Sequence, residues 1–153
     1  MGDNILREIE DAAAHYPDRR SALMAGFWAA QREFGSLSDE VIEAVAAVIG
    51  VPKAHAQGVA AYHTLYYKGK VGRHVVMLCT NVACTLMGAE TLLGHLEGRL
   101  GVKVGGTTPD GMFTLMEVEC IGSCGKAPAM VVDDDFHYEL TPDKIDEILK
   151  TYR

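Results

Sequence analysis

The sequence predicts an α+β protein (α/β in its second half), in which an N-terminal helical bundle precedes a domain of mixed strands and helices. Two observations predict this fold class. Across residues 1–72, apolar residues recur at the three- and four-residue spacing of amphipathic helices. Across residues 73–153, short continuous apolar runs alternate with such segments, as buried strands alternate with helices. A chain of 153 residues has the length of one domain or of two small ones.

Four helices are predicted in the first part, around residues 5–9, 20–34, 39–49 and 52–62. Their ends carry residues that start or stop helices. Ser38 can cap the third helix, and Pro52 suits the first turn of the fourth. Gly35 and Gly50 end the second and the third, because glycine readily adopts the left-handed conformation that follows many helices. The loops between these helices are short, which favours an antiparallel bundle.

The second part is predicted to have the order β-α-β-β-β-α, with a further short strand near His137 and Tyr138 before the last helix. Two turns separate its later strands. One is Pro109-Asp110-Gly111, and the other is the acidic pair Asp133-Asp134, which we interpret as a solvated turn rather than a calcium site. Thr141 caps the last helix. The predicted strands lie at residues 75–78, 102–104, 113–118 and 129–132 and near His137, and the predicted helices lie at residues 88–100 and 141–152.

Charge and hydropathy limit the classes of function. Lys and Arg number 14 against 21 Asp and Glu, a formal net charge of -7, which argues against nucleic acid or an anionic membrane surface as the main partner. The longest uncharged stretch, Val75 to Ala89, is shorter than the roughly 20 apolar residues that a spanning helix needs. We therefore expect no direct membrane insertion. No export signal stands out, so a cytoplasmic location with reduced thiols is the expectation.

All four cysteines lie in the second part and form two pairs. Four residues separate Cys79 from Cys84, and three separate Cys120 from Cys124. Each pair follows a predicted strand, so each lies on a loop at the carboxyl end of a strand. Four thiolates on two such loops can surround one metal centre, which makes these cysteines the candidate ligands. No catalytic residue is predicted, because no Ser/His/Asp or Cys/His set is suggested.

Three kinds of centre fit four cysteines: a [2Fe–2S] cluster, an all-cysteine zinc site, or two disulfides. Structural zinc more often uses closer pairs, and redox-active disulfides favour two intervening residues, a spacing that this chain lacks. Structural disulfides suit secreted chains. A [2Fe–2S] cluster needs two protein thiolates on each of two irons, which two separated pairs supply. Spacing alone therefore favours an iron–sulfur cluster and leaves the other centres open.

The residues around the cysteines favour a negatively charged group. Cys84 lies close to the predicted start of the helix at residues 88–100, where free N–H groups and the helix dipole favour negative charge. Gly122 and Gly125 allow the second loop to turn tightly, with backbone N–H groups near sulfur. Such hydrogen bonds raise the reduction potential of a cluster.

Several short motifs surround and extend the cysteine pairs. They are Cys79-Thr80-Asn81-x-x-Cys84 with Gly88-Ala89 after it, Glu119-Cys120-Ile121-Gly122-Ser123-Cys124 with Ala127-Pro128 after it, Leu140-Thr141-Pro142, Gly105 to Phe113, Gln31, Gly35 and Gly58-Val59-Ala60. Together they resemble the thioredoxin-like [2Fe–2S] subunit of respiratory NADH:quinone oxidoreductase (complex I), the E or 24 kDa subunit. The resemblance covers nearly the whole chain. One departure is Tyr62-His63, where that family usually has Phe-Tyr.

The resemblance implies that a thioredoxin-like [2Fe–2S] ferredoxin domain follows the helical bundle along the chain. It also implies one [2Fe–2S] cluster held by Cys79, Cys84, Cys120 and Cys124, with one pair on each iron. It implies a partner flavoprotein subunit that binds FMN and NADH and exchanges single electrons with the cluster, and further iron–sulfur subunits. The complex, rather than the isolated chain, would be the enzyme, located at the cytoplasmic side of the inner membrane. The same module occurs in NAD-dependent formate dehydrogenases, hydrogenases and electron-bifurcating complexes.

The remaining residues are interpreted as structural. No G-x-G-x-x-G motif follows a strand, so FMN and NADH are expected only on the partner. His74 and His95 flank the first cysteine segment, and we expect surface or boundary roles for both. Pro128 is hypothesised to follow a cis peptide bond beside the second cysteine loop. Two further hypotheses stay open: a stand-alone thioredoxin-like ferredoxin, and a zinc-stapled interaction module.

Overall fold

The computed structural model describes residues 2–152, which divide into two compact units, one ending at Lys70 and the other beginning at Val71. The first unit is helical, as the apolar spacing predicts. Its helices are α1 (Asp3–Ala14), α2 (Leu23–Phe34), α3 (Asp39–Ile49) and α4 (Lys53–Tyr62), with a 3₁₀ helix at Arg19–Ala22 before α2.

Local signals set the boundaries of two of these helices as predicted. The hydroxyl of Ser38 accepts a hydrogen bond from the backbone N–H of Val41 and so caps α3. Gly35 and Gly50 follow α2 and α3 in the left-handed conformation, with φ of 74° and 82°. The ends of α2 and α3 therefore lie at residues that the sequence already marks.

The core of the first unit joins the apolar faces of its helices. Ile9 and Phe27 are inaccessible to solvent within this core. Gln31 is a buried polar residue at its edge: its side-chain amide donates to the carbonyl of Leu65 at 2.9 Å and accepts from the N–H of Tyr67 at 2.7 Å. Because this buried amide has both a hydrogen-bond acceptor and a hydrogen-bond donor as partners, it connects α2 to the segment that follows α4.

The second unit contains a mixed four-stranded sheet with the strand order β2-β1-β3-β4. β1 pairs with β2 in parallel and with β3 antiparallel, and β4 pairs antiparallel with β3. The α+β prediction is therefore confirmed. The strands are β1 (His74–Cys79), β2 (Phe113–Val118), β3 (Met130–Val132) and β4 (Asp135–His137), and the helices are α5 (Val82–Leu86), α6 (Ala89–Leu100) and α7 (Pro142–Thr151), with a 3₁₀ helix at Cys124–Lys126.

Helices α6 and α7 share one core with the sheet. Val76 of β1, Leu115 of β2 and Met130 of β3 are fully buried together with Leu96 of α6 and Ile145 of α7. Burying each such side chain contributes roughly 1.5–3 kcal/mol. This core fixes the strands and thereby the loops that leave their carboxyl ends.

The prediction of a strand at residues 102–104 is wrong. These residues lie outside the sheet, and the chain turns directly after them, where the N–H of Gly106 donates to the carbonyl of Lys103 at 2.8 Å. A Cβ at Gly106 would lie 2.8 Å from that carbonyl oxygen, so the turn requires glycine. The turn itself contacts β2: the N–H of Gly105 donates to the carbonyl of Leu115 at 2.7 Å, and the N–H of Leu115 donates to the carbonyl of Gly106 at 3.0 Å. Thr107 then forms an isolated antiparallel bridge with Thr114.

Other local predictions agree with the structure or differ in detail. The Ala127-Pro128 peptide bond is cis, as hypothesised. The short last strand, predicted near His137, lies at Asp135–His137. The short helix α5 was not predicted as a separate element. In the described part of the chain, every helix is too short or too polar to cross a lipid bilayer.

Candidate metal centre

Parallel pairing of β1 and β2 brings both cysteine loops to one edge of the sheet. The register places Cys79, the last residue of β1, opposite Val118, the last residue of β2. The N–H of Thr80 donates to the carbonyl of Val118 at 3.0 Å, so the pairing continues just past β1. Cys120 follows β2 closely, and the thiol of Cys79 donates to the carbonyl of Glu119 at 3.5 Å. The carboxyl ends of parallel strands meet at the same edge, which is what a shared centre requires.

The first pair of cysteines is buried. Cys79 and Cys84 are only 3% and 2% exposed. Cys84 lies on α5, and the hydroxyl of Thr85 holds this helix to the end of β1 by donating to the carbonyl of Thr80 at 2.8 Å. Cys79 and Cys84 pack with Ala89, the first residue of α6. The expected position of Cys84 beside the start of that helix is confirmed.

Three of the four cysteines interact electrostatically. Burial raises the pKa of the Cys84 thiol, and its hydrogen bond with Cys79 raises it further. The charges of Cys79 and Cys124 act in the same direction, while a backbone hydrogen bond at Ala129 opposes them. Thiolates that disfavour one another in this way are stabilised by a metal centre, whose positive charge offsets their repulsion.

The second pair of cysteines is exposed on a tight loop. Cys120 and Cys124 are both accessible to solvent. Gly122 lies between them with φ of 76°, and its N–H donates to the sulfur of Cys120 at 3.4 Å. The predicted hydrogen bond to sulfur is therefore present. Gly125 does not adopt the left-handed conformation, so only Gly122 is required by the turn.

The four thiols fit the demands of a [2Fe–2S] cluster. None of them forms a disulfide, so all four can serve as ligands. Within residues 2–152, no group of three or more His, Cys, Asp or Glu side chains is arranged to hold a metal ion. A [2Fe–2S] cluster asks for two thiolates at each of two irons, that is, for two pairs. The buried pair and the exposed pair at one sheet edge provide this arrangement.

An apolar surface, which the sequence analysis missed, lies beside the buried pair. Val82, Leu86 and Met87, on and directly after α5, are 70%, 80% and 62% exposed. The signal for α5 is weak because the helix is short. Asn81 and Gly88, which favour helix boundaries, do bracket it in the sequence.

His74 and His95 bind carboxylates rather than cysteines. Nδ1 of His74 lies 2.6 Å from Asp133, whose other oxygen accepts the N–H of Val75 at 2.8 Å. Asp133 thereby attaches the turn between β3 and β4 to the start of β1. Nε2 of His95 lies 3.0 Å from Asp146 and ties α6 to α7. Both histidines have the structural roles expected from the sequence.

Comparisons with known proteins agree on one family. A family model described as thioredoxin-like [2Fe–2S] ferredoxin matches residues 9–153. The chain is 48% identical over 146 residues to the second E-type subunit of NADH-quinone oxidoreductase from Rhizobium meliloti (strain 1021), covering 95% of this chain and 87% of that protein. It is 37% identical to the corresponding E-type subunit of Pseudomonas aeruginosa, over 94% of this chain and 87% of that protein. It is 39% identical to that of Escherichia coli (strain K12), over 95% and 87%.

The fold also occurs in a solved structure of a larger protein. One chain of an NAD+-reducing [NiFe]-hydrogenase in the air-oxidised state superposes with a TM-score of 0.69 over 90% of this chain, at 16% sequence identity. The matched region is 24% of that hydrogenase chain. At this identity the likeness concerns the fold alone.

Proposed function

This chain belongs to the family of thioredoxin-like [2Fe–2S] ferredoxins, and from that membership we propose that it is the electron-transfer subunit of a complex I-type NADH dehydrogenase module. The cofactor of the family is one [2Fe–2S] cluster, which supplies one-electron transfer when bound. In this proposal its ligands are Cys79, Cys84, Cys120 and Cys124, with one pair on each iron.

The edge shared by the two cysteine loops carries the proposal. Cys79 lies opposite Val118 in the parallel ladder, so Cys120 emerges from the neighbouring strand at the same end of the sheet. The rigid strands of a buried core hold the loops at this edge, as a redox centre requires if its ligands are to stay in place.

The two pairs have different tasks in this proposal. Cys79 and Cys84 are buried against the start of α6, which excludes water from one side of the centre. Cys120 and Cys124 are exposed, which leaves the other side open to an approaching electron donor or acceptor. The N–H of Gly122 donates to the sulfur of Cys120, which stabilises negative charge there and favours reduction.

The proposed partner is a flavoprotein that binds FMN and NADH, accompanied by further iron–sulfur subunits. The curated relatives are named as subunits of NADH-quinone oxidoreductases, and this chain spans 87% of their length. The exposed apolar residues Val82, Leu86 and Met87 offer a surface of the kind that protein interfaces bury. Catalysis would then belong to the assembled complex, and the location to the cytoplasm at the inner membrane.

A second candidate is the equivalent subunit of an NAD-dependent hydrogenase, formate dehydrogenase or electron-bifurcating complex. One chain of an NAD+-reducing hydrogenase has the same fold as this chain, which supports this candidate. The two candidates share the cluster and the flavoprotein partner and differ in the remaining subunits. Identification of the subunits that co-purify with the chain separates them, and a chain that purifies alone would be a free ferredoxin.

Low-temperature EPR of the purified, chemically reduced chain, with iron and zinc assays alongside, tests the proposed cofactor. We expect a spin-half signal and about two irons per chain. Bound zinc without an EPR signal would contradict the proposed cluster and indicate a structural module stabilised by zinc. If the preparation holds neither metal, reconstitution with iron and sulfide precedes the measurement, and failure to form a cluster then contradicts the proposal.

A further inference from the structure

We propose that Lys126 and Tyr138 brace the second cysteine loop, and that Lys126 is a positioning residue for the cluster. The inference rests on the proposed ligation by the four cysteines and goes beyond it by assigning a role to two residues outside the ligand set. The brace would hold Cys124 in place and keep one positive charge at a fixed position on the loop.

Lys126 carries the only charged side chain in the two segments that contain the cysteines, residues 79–88 and 120–129. It ends the 3₁₀ helix that begins at Cys124, so the charge is attached directly to the ligand loop. A positive charge close to a negatively charged cluster favours the reduced state, which carries one more negative charge.

The side chain of Lys126 is held rather than free, although the residue is exposed. Its Nζ atom lies 4.9 Å from the centroid of the Tyr138 ring, within the range of a cation–π contact. The Tyr138 ring in turn stacks on Phe136 of β4, with centroids 6.2 Å apart and planes inclined by 24°. Phe136 of β4 and Tyr138 directly after it thus supply aromatic rings that support the cation on the loop of Cys120 and Cys124.

Backbone hydrogen bonds tie the same two segments together. The N–H of Glu139 donates to the carbonyl of Lys126 at 2.9 Å, and the N–H of Leu140 donates to that of Pro128 at 3.1 Å. Glu139 has φ of 48°, a left-handed conformation that is costly for a residue with a Cβ. Such strain persists only where surrounding contacts over-determine it. Here those contacts join the segment after β4 to the loop that carries Cys124.

The test uses the full chain with its cluster and two readouts other than activity. The first is the rate at which the visible absorption of the cluster is lost in a chelator. The second is the midpoint potential from an EPR-monitored redox titration. Tyr138→Leu and Lys126→Met remove the two sides of the brace. Tyr138→Phe keeps the ring, and Lys126→Arg keeps the cation. Lys150→Met, on α7, controls for the change in net charge.

We expect Tyr138→Leu and Lys126→Met to lose the cluster roughly two- to fivefold faster than the unmodified chain, the factor that corresponds to a cation–π contact at an exposed site. Lys126→Met should also titrate at a lower potential than Lys150→Met. Lys126→Arg and Tyr138→Phe should behave like the unmodified chain in both measurements. Complete loss of the cluster in Tyr138→Leu, with Tyr138→Phe intact and equal circular dichroism spectra, would equally support the brace.

Equal rates for Tyr138→Leu and Tyr138→Phe would overturn the brace. Equal potentials for Lys126→Met and Lys150→Met would overturn the role of the charge. If Lys126→Met fails to fold, Lys126→Gln takes its place in both comparisons. An unmodified chain that forms no [2Fe–2S] cluster overturns the proposed function itself, whereas a loaded chain that is indifferent to these changes overturns only this inference.

Discussion

Replacing Gly122 by alanine tests the turn that places Cys120 and Cys124. Gly122 has φ of 76°, in the left-handed region that residues with a Cβ rarely adopt. A Cβ built on Gly122 meets no atom within 4 Å. The effect of Gly122→Ala therefore comes from backbone conformation and not from a steric clash.

The magnitude follows from two opposing contributions. The left-handed conformation costs roughly 1–2 kcal/mol for a residue with a Cβ. Alanine also restricts the unfolded chain, which returns roughly 0.4–1 kcal/mol. The free energy of unfolding should therefore fall by about 1 kcal/mol, which is about fivefold in the folding equilibrium. If the backbone relaxes instead, the N–H of Gly122 moves away from the sulfur of Cys120, and the midpoint potential of the cluster should fall.

Urea unfolding of the cluster-loaded chain measures the first effect, and an EPR-monitored redox titration measures the second. The matched control is Gly125→Ala. A Cβ on Gly125 also meets no atom within 4 Å, but Gly125 is not in the left-handed conformation. This control should be as stable as the unmodified chain or more stable by roughly 0.4–1 kcal/mol, because alanine restricts the unfolded chain there without adding strain. Gly122→Asn should lie between the two, because asparagine tolerates the left-handed region better than alanine.

Equal unfolding midpoints and equal potentials for Gly122→Ala and Gly125→Ala would refute the reasoning. Both variants remove a glycine from the same loop and add a Cβ in open space. Their only expected difference is the sign of φ.

Four further changes have defined outcomes. Cys120→Ser should lower the iron content and the EPR signal while Ser123→Ala retains both; normal iron and normal NADH-dependent electron transfer in Cys120→Ser would contradict the ligand assignment. Leu86→Asp should keep the cluster but reduce co-purification of the flavoprotein, since it places a charge on an exposed apolar surface; undiminished co-purification would move the interface elsewhere. Leu96→Ala should lower the free energy of unfolding by about 2–5 kcal/mol, because Leu96 is fully buried between α6 and the sheet; an unchanged urea midpoint would argue against this core. Burial lowers the pKa of His137, so the imidazole binds a proton more readily in the unfolded chain than in the folded one. The free energy of unfolding should therefore fall as the pH drops through about 6.5 toward the lower pKa of the folded state. In urea unfolding between about pH 7 and about pH 5, His137→Gln should reduce this dependence on pH.

Helices in the first unit were predictable because their signals are local. Apolar residues at helical spacing lie within one element, and Ser38, Gly35 and Gly50 act on the ends of the helices that they adjoin. The hydrogen bonds of the buried Gln31 amide were not predictable, because its partners lie far along the chain, on the segment after α4.

The strand at residues 102–104 shows where a local pattern fails. Two valines flanking a lysine alternate as in a strand, but nothing in that pattern says whether a partner strand is available. The chain turns at these residues, and its backbone hydrogen bonds with β2 are made by Gly105 and Gly106, followed by the bridge at Thr107. Membership in a sheet depends on a neighbour that the local sequence does not contain.

For the candidate centre, the amino-acid order by itself determined the four cysteines, their pairing along the chain and the glycines that let the second loop turn tightly, because each depends on residues a few positions apart. Only the tertiary structure decided that β1 and β2 run parallel with Cys79 opposite Val118, that the first pair is buried while the second is exposed, and that Lys126 meets Tyr138. The physical reason is range: helix periodicity and turn chemistry act between near neighbours, whereas strand register, burial and side-chain contacts join residues that only the folded core brings together.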